Sequence, residues 1–343
     1  MSHSPSSRRV VLARRPSGVP READFRLEAA TTRALAPGEV RVANRFLSMD
    51  PAIRGFLDDR PSYLPPVAIG ATVRGMTLGR VVESRNPQIP AGTFVRALAG
   101  WEELSVLDSQ AIGLEALEPA VGIPLEHYLG ALGPAGLTAW MGLNEIGRLG
   151  AGQTVLISAA AGAVGSVAGQ VARLQGCRVV GLVGSSAKAE RLRALGFHGA
   201  INYRGSADLG AAIGAACPDG VDLYFDNVGG SILEAALQHM KIHGFVVVCG
   251  MVGDYNTQDD PQPVRTLWQL VVKRLTMRGF LTYEHAHRIP EAQAQLTQWV
   301  RDGQLLALEN FHDGLEQAPA AFIELMSGRT IGKTLVRLPD RAG

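Results

Sequence analysis

The chain has 343 residues, 46% of them apolar and 19% charged, which is enough to bury two cores rather than one. A formal charge of +1 argues against nucleic acid or an anionic membrane as an obligatory partner. Cys177, Cys217 and Cys249 all fall in α/β-like segments, which argues against a disulfide framework.

In chain order, residues 1–7 are rich in Ser and Pro and read as a disordered tail. The pairs Arg8-Arg9 and Arg14-Arg15 lead into Pro16-Ser17-Gly18 instead of an apolar stretch, so no export signal is expected. No run is long enough to span a bilayer, and a cytoplasmic protein without a membrane partner is expected. Residues 8–126 hold short β-like runs at 10–13, 39–46, 77–83 and 93–99, divided by Gly and Pro. That is the pattern of a mostly β, partly closed domain. Over 127–300, strand-like runs at 154–158, 178–183, 200–203, 221–226, 244–249 and 276–282 alternate with helical patterns. Alternation of this kind makes an α/β domain, a doubly wound parallel sheet with helices on both faces. Asp259-Asp260-Pro261 with Pro263 reads as an exposed loop and a candidate lid, and 264–275 reads as a helix. Residues 301–343 return to β-like runs such as 333–338 and are expected to complete the first domain.

The chemistry starts at 154–188. A short apolar strand leads to Ala160-Ala161-Gly162-Ala163-Val164-Gly165, a G-x-G-x-x-G pattern with alanine in its first place. Gly162 would let the backbone approach a pyrophosphate, and Gly165 would let helix and strand pack closely. Val164, Val167, Ala168, Val171 and Ala172 recur at helical spacing, so the phosphates would sit over a helix N-terminus. A second strand ends at Gly184-Ser185-Ser186, with no carboxylate to receive ribose hydroxyls and Lys188 two residues on. Lysine charge and serine hydroxyls suit a 2′-phosphate, which favours NADPH over NADH. The alternative for Lys188 is a solvated residue in the first turn of a helix.

Six blocks, in order and spread over nearly the whole chain, carry a resemblance. They are Leu47-Ser48-Met49-Asp50-Pro51, 133–140 (GPAGLTAW), 159–169 (AAAGAVGSVAG), 225–230 (FDNVGG), 249–256 (CGMVGDYN) and Ile331-Gly332-Lys333. The chain resembles the zinc-independent medium-chain dehydrogenases/reductases of the leukotriene B4 dehydrogenase, prostaglandin reductase, curcumin reductase and plant double-bond reductase group. The resemblance implies a GroES-like β domain (8–126 and 301–343), a Rossmann domain (127–300), and an active site in the cleft between them. It also implies a homodimer.

Zinc relatives need three or four Cys, His or carboxylate ligands. The N-terminal region holds no cysteine, and its histidines are His3 and His127. A metal-free reduction is therefore expected, with hydrogen bonds stabilising charge on the substrate oxygen. The reaction that fits is reduction of the activated carbon–carbon double bond of an enone or enal by NADPH. The resemblance puts Tyr255 near nicotinamide and substrate, and Tyr63 on the substrate side. Each could instead be an amphipathic loop tyrosine. Tyr203 would join Ser185 and Lys188 around the 2′-phosphate, and Asn227 would face the ligand from a strand end. Cys249, Gly250, Val252, Phe280, Leu281 and Thr282 would line the nicotinamide half, with Pro134 and Thr138 near the entry to the Rossmann domain. Departures are Ala52 after Pro51, Trp140 where tyrosine is frequent, and Thr330 where asparagine often precedes I-G-K. These leave the natural substrate open. His285 and His287 read as a solvent-facing pair. Two alternatives stand beside the ene reductase: a quinone oxidoreductase of the same superfamily, and a non-catalytic NADPH-binding protein.

Overall fold

A computed structural model describes residues 6–257 and 260–340. Residues 1–5 of the expected tail and Asp259 of the expected lid lie outside the described residues, whereas Ser6 and Ser7 open a strand. The chain divides into two compact units, Met1–Leu129 with Glu309–Gly343, and Gly130–Leu308.

In the first unit, β1 (Ser6–Leu12) pairs antiparallel with β2 (Phe25–Thr31). A seven-stranded sheet is built around β3 (Val40–Met49), which is almost wholly buried along its ten residues. On one side of β3 come β4 (Arg74–Ser84), β5 (Phe94–Gly100) and β7 (Glu115–Leu117), and β6 (Leu104–Leu107) also pairs with β3. On the other side lie β15 (Lys333–Arg337) and then β14 (Glu309–Asp313), so the chain's last strand closes onto its third. Lys333 is buried there, its ammonium paired with the Asp50 carboxylate and donating to Met49 O at 3.3 Å. Helix α1 (Ile53–Phe56) follows β3, and α9 (Ala318–Met326) presses Phe322 edge-on against Trp101 and Phe25.

In the second unit, six parallel strands run β10 (Gly199–Asn202), β9 (Arg178–Val183), β8 (Thr154–Ile157), β11 (Val221–Asp226), β12 (Met240–Val248) and β13 (Thr276–Gly279). Counted within the unit this is the order 3-2-1-4-5-6, the dinucleotide-binding Rossmann arrangement. Helices α3 (Ala163–Leu174), α4 (Ser186–Ala194), α5 (Leu209–Ala216) and α6 (Gly230–His239) connect successive strands. α2 (Pro134–Met141) runs straight into a π turn at Gly142–Ile146, and α8 (Ile289–Arg301) closes the unit. Helix α3 is covered on more than its sheet face: the Gln170 amide donates to Leu306 O at 3.0 Å and accepts from Leu306 N at 2.8 Å.

Three expectations change. The helix expected over 264–275 is a single turn, α7 (Gln269–Val272), entered through i→i+3 turns such as Gln269 N to Thr266 O at 2.9 Å. Its apolar residues Leu267, Trp268, Val271 and Val272 are exposed, so no buried face holds a longer helix. Strand β12 starts at Met240, not 244, because His243 takes a left-handed conformation (φ 64°) and the chain passes through a bulge. Strand β13 stops at Gly279, leaving Leu281 and Thr282 in the loop and helical turn beyond.

Candidate active site

In an open parallel sheet, ligands bind beyond the carboxyl ends of the strands, at the point where the strand order reverses. Here that point lies between β8 and β11, and a buried carboxylate organises it. Asp226 Oδ1 accepts from Ser158 Oγ at 2.9 Å, Tyr224 Oη at 2.7 Å, and the amides of Val228 and Gly229 at 3.0 and 3.1 Å. Asn227 bonds back to residue 158 twice, its amide to Ser158 Oγ at 2.8 Å and its side chain to Ser158 O at 2.7 Å. Burial, and then the Asp226 charge, push the Tyr224 phenol well above its usual range, so it stays a donor.

The turn after β8 is tight. Ala159 is left-handed (φ 46°), one residue before the pattern's first place, and Gly162 N–H closes the turn onto Ala159 O at 2.9 Å. Gly162 then caps α3 from an extended conformation. The first amides of that helix, at Ala163, Val164 and Gly165, have no carbonyl one turn earlier within the helix to receive them, which is what an anion needs. A side chain at Gly165 would meet Ala159 O at 2.5 Å and Ala160 Cα at 2.8 Å, both backbone atoms that cannot step aside. Gly165→Ala is therefore expected to cost about 1–3 kcal/mol and lower Tm by about 5 °C. Thermal melts with and without NADPH check this, since a displaced α3 should also lose most of the ligand's stabilising shift. An unchanged Tm would show that the helix and strand do not need this close approach.

Two cationic side chains gather beyond the end of β9. Ser185 caps α4, its hydroxyl oxygen accepting from Lys188 N at 3.3 Å, and that leaves its hydrogen free to donate. A Cβ built on Gly184 would lie 3.1 Å from Tyr203 Oη and 3.4 Å from Arg204 Nε, so both side chains close over this glycine. Burial first, and then the Arg204 charge, pull the Lys188 ammonium below the usual lysine range. A half-buried ammonium beside an exposed guanidinium gains from an anion placed between them. Arg204 was not among the residues expected from sequence, although it directly follows Tyr203.

The loop after β12 is tied to the loop after β11. Cys249 N and Gly250 N donate to Asp226 O at 2.8 and 3.2 Å, and Val252 N donates to Asn227 O at 3.0 Å. Tyr255 folds back so that its hydroxyl lies 3.3 Å from where a Gly250 Cβ would stand. Burial raises its pKa above the ordinary value, a backbone hydrogen bond at Met251 working against the rise. Burial also pushes the Cys249 thiol up to about 12, so it carries no thiolate at neutral pH. Phe280 packs toward the π turn, where a Cβ on Gly142 would meet its ring at 3.0 Å, and Leu281 and Thr282 follow. Pro134 and Thr138, four apart on α2, are its partly exposed members.

The second unit thus gathers every expected cofactor residue except Thr330, which is buried in the first unit between α9 and β15. Tyr63 also belongs to the first unit. His285 is less exposed than expected, with its ring 3.8 Å from the Glu145 carboxylate that also holds Arg288. Among the described residues, no three His, Cys, Asp or Glu side chains stand together as a metal site would require.

Known proteins resemble this chain in sequence and in fold. Residues 8–114 match a family model described as the N-terminal domain of oxidoreductase, and residues 163–299 one described as zinc-binding dehydrogenase. The chain is 37% identical to the NADP(+)-dependent 2-alkenal reductase of Nicotiana tabacum, over 98% of each protein. It is equally 37% identical to the NADPH-dependent curcumin reductase of Escherichia coli, over 97% of each. The structure of CurA from Vibrio vulnificus in complex with NADPH superposes with a TM-score of 0.91 at 34% identity, over 97% of this chain and 100% of that one. With the sheet order and strand-end residues described above, these likenesses settle the family: the chain belongs to the zinc-independent medium-chain dehydrogenases/reductases, alongside the NADP-dependent alkenal, curcumin and prostaglandin reductases.

Proposed function

We infer that this protein is an NADPH-dependent oxidoreductase that reduces the activated carbon–carbon double bond of α,β-unsaturated ketones and aldehydes without a metal. The observation that carries this reading is the Tyr255 phenol, kept neutral by burial and folded over Gly250 at the strand ends that bear the dinucleotide turn. When bound, NADPH supplies the hydride for the β-carbon of the conjugated system. The chain's residues do the rest. Gly162, Ala163, Val164 and Gly165 receive the pyrophosphate, and Ser185, Lys188, Tyr203 and Arg204 receive the 2′-phosphate. Pro134, Thr138, Asn227, Cys249, Gly250, Val252, Phe280, Leu281, Thr282 and Thr330 complete the cofactor's surroundings. Tyr255 donates a hydrogen bond to the carbonyl oxygen as enolate charge builds, Tyr63 brings a second phenol toward the substrate, and a proton drawn from solvent completes the C–H bond at the α-carbon. Such donors act most strongly when fixed before charge develops.

Steady-state NADPH oxidation with trans-2-alkenals, aryl enones and quinones tests the assignment. Faster turnover of enals and enones than of quinones supports it. Turnover of quinones alone would make the protein a quinone oxidoreductase, and tight NADPH binding without turnover would make it a non-catalytic binder.

The chain is further proposed to act as a homodimer in the cytoplasm. All three cysteines are free, which fits a reducing compartment. Among the described residues strand β13 is the last of its sheet, and in the sequence on either side of it Trp268, Val271 and Tyr283 are 68%, 59% and 66% exposed. An unpaired edge flanked by large apolar side chains needs a cover, and a second copy can pair the same edge about a twofold axis. A Trp268→Asp, Val271→Asp double variant is expected to halve the mass seen by light scattering. A wild-type monomer would rule the dimer out, and a variant that stays dimeric would move the interface elsewhere. Among the described residues no helix is long and apolar enough to cross a membrane.

A further inference from the structure

Residues 57–67 of the first unit form a loop whose ends are drawn together while Tyr63 stands near its middle. The neck is closed by one backbone bond, Val67 N to Phe56 O at 2.8 Å, and by one side chain. Arg15 Nη1 donates to Leu57 O at 2.8 Å and to Val67 O at 2.6 Å, while the guanidinium lies 3.8 Å from the Asp59 carboxylate. Leu57 and Val67 are both buried. Two carbonyl oxygens therefore converge on a single nitrogen from opposite sides of the neck. Without that donor they would face each other with their hydrogen-bonding needs unmet, a costly arrangement for buried groups. Compact loops with joined ends of this kind are frequently functional.

Within the loop, the Tyr63 ring is seated against the base. The ring meets Phe56 edge-on, with centroids 5.4 Å apart and planes at 79°, and Phe56 itself is buried. The Arg74 guanidinium lies 5.9 Å from the Phe56 ring centre and donates to Pro65 O at 2.8 Å, pinning the returning limb. Pro61, Pro65 and Pro66 stiffen the stretch on both sides of the tyrosine. The outgoing limb is held in turn by the buried Arg54 guanidinium on the Asp58 carboxylate at 2.5 Å, so widening the neck would swing the tip between two stiff limbs.

We propose that Arg15 is a positioning residue that clamps the neck of loop 57–67 and so fixes Tyr63 where it meets the substrate. The proposal rests on the reading of Tyr63 as a substrate contact, and the experiment keeps the two apart. Arg15→Met retains most of the length and loses the donor, whereas Arg15→Lys retains an ammonium able to serve both carbonyls. Each is compared with Tyr63→Phe and with the Arg15→Met, Tyr63→Phe double variant in the full-length enzyme. Benzylideneacetone is the substrate, and hydrogen–deuterium exchange is followed over 57–67. Arg15→Met is expected to raise KM for the enone about tenfold and to hasten exchange in this loop alone, with NADPH affinity changed less than about twofold. Arg15→Lys should recover to within about threefold of wild type, and in the Tyr63→Phe background Arg15→Met should add less than about twofold. Unchanged exchange in Arg15→Met overturns the clamp. So does an unchanged KM beside an impaired Tyr63→Phe enzyme, or Lys and Met variants that behave alike. A Tyr63→Phe enzyme with wild-type kinetics instead removes the role given to Tyr63, and with it the purpose of the clamp.

Discussion

Lys188→Glu is expected to weaken NADPH binding about 100-fold while changing the affinity for NADH by less than about threefold. The two coenzymes differ only at the 2′ position, so the ratio isolates what the residues around the 2′-phosphate do. The substitution removes a charge-assisted donor and sets a carboxylate in its place. Because Arg204 closes over the same glycine, the new carboxylate would also pair with it and take a second cation from the phosphate. Each lost contact of this type is worth about 1.5–3 kcal/mol, and two at the lower end of that range give the expected magnitude. Arg204→Ala, which leaves Lys188 in place, should lose about tenfold. Fluorescence titration with both coenzymes reads these values, and an unchanged NADPH-to-NADH ratio in Lys188→Glu would sink the phosphate role.

The pH dependence follows from the same geometry. Burial and Arg204 lower the Lys188 pKa, so the unfolded chain holds this proton more tightly than the folded protein does. The residue therefore costs stability at neutral pH, and the cost is relieved as pH rises through the interval between the lowered value and the ordinary lysine value. A bound 2′-phosphate favours the charged ammonium and raises the pKa again. NADPH affinity should accordingly begin to fall at a lower pH than an ordinary lysine would impose, while NADH affinity stays flat across that range.

Residues at strand ends were legible in the sequence because a strand fixes where its next residue emerges. Tyr203, Asn227 and the turn around Gly162 stand at strand ends as that rule requires, Lys188 lies in the first turn of the helix after β9, and the doubly wound sheet follows from the alternation of strands and helices. Arg204 was missed because its direction depends on the turn after β10, where Gly205 N donates to Asn202 O at 3.1 Å and Ser206 Oγ to the same oxygen at 3.0 Å. Asp226 stood inside a quoted block, yet its role appears only when β8 is laid beside β11 and Ser158 reaches it across 68 residues. Arg15 is harder still, since its two bonds span 42 and 52 positions and end on backbone oxygens. No residue pattern records an acceptor that every amino acid carries. The stretch 264–275 misled for the opposite reason. Its apolar spacing is real, but those side chains are exposed in the chain and are assigned above to a second copy.

Tyr255→Phe is expected to lower kcat for enones about 100-fold with NADPH affinity unchanged, the loss typical of one preorganised donor to a developing oxyanion. The change removes a single oxygen, and the ring that fills the space by Gly250 remains. A fall in kcat without a fall in cofactor affinity would place the hydroxyl's contribution in the transition state. Burial is what makes the phenol suited to this task. A pKa raised above 10 keeps the proton on the oxygen throughout the neutral range, so the donor is always present and brings no competing negative charge. Wild-type kcat should therefore show no loss from this group until pH exceeds the usual tyrosine value, and Tyr255→Phe should lack that alkaline limb altogether. Gly250→Ala offers a graded version of the same test. Its methyl would lie 3.3 Å from the hydroxyl, tight enough to displace it by a few tenths of an ångström. A shift of that size should cost about tenfold in kcat if hydrogen-bond geometry at the substrate oxygen limits the reaction. Should Tyr255→Phe retain wild-type kcat while Tyr63→Phe loses it, the oxyanion donor would be the phenol of the first unit, and Tyr255 would serve only to shape the cofactor's floor.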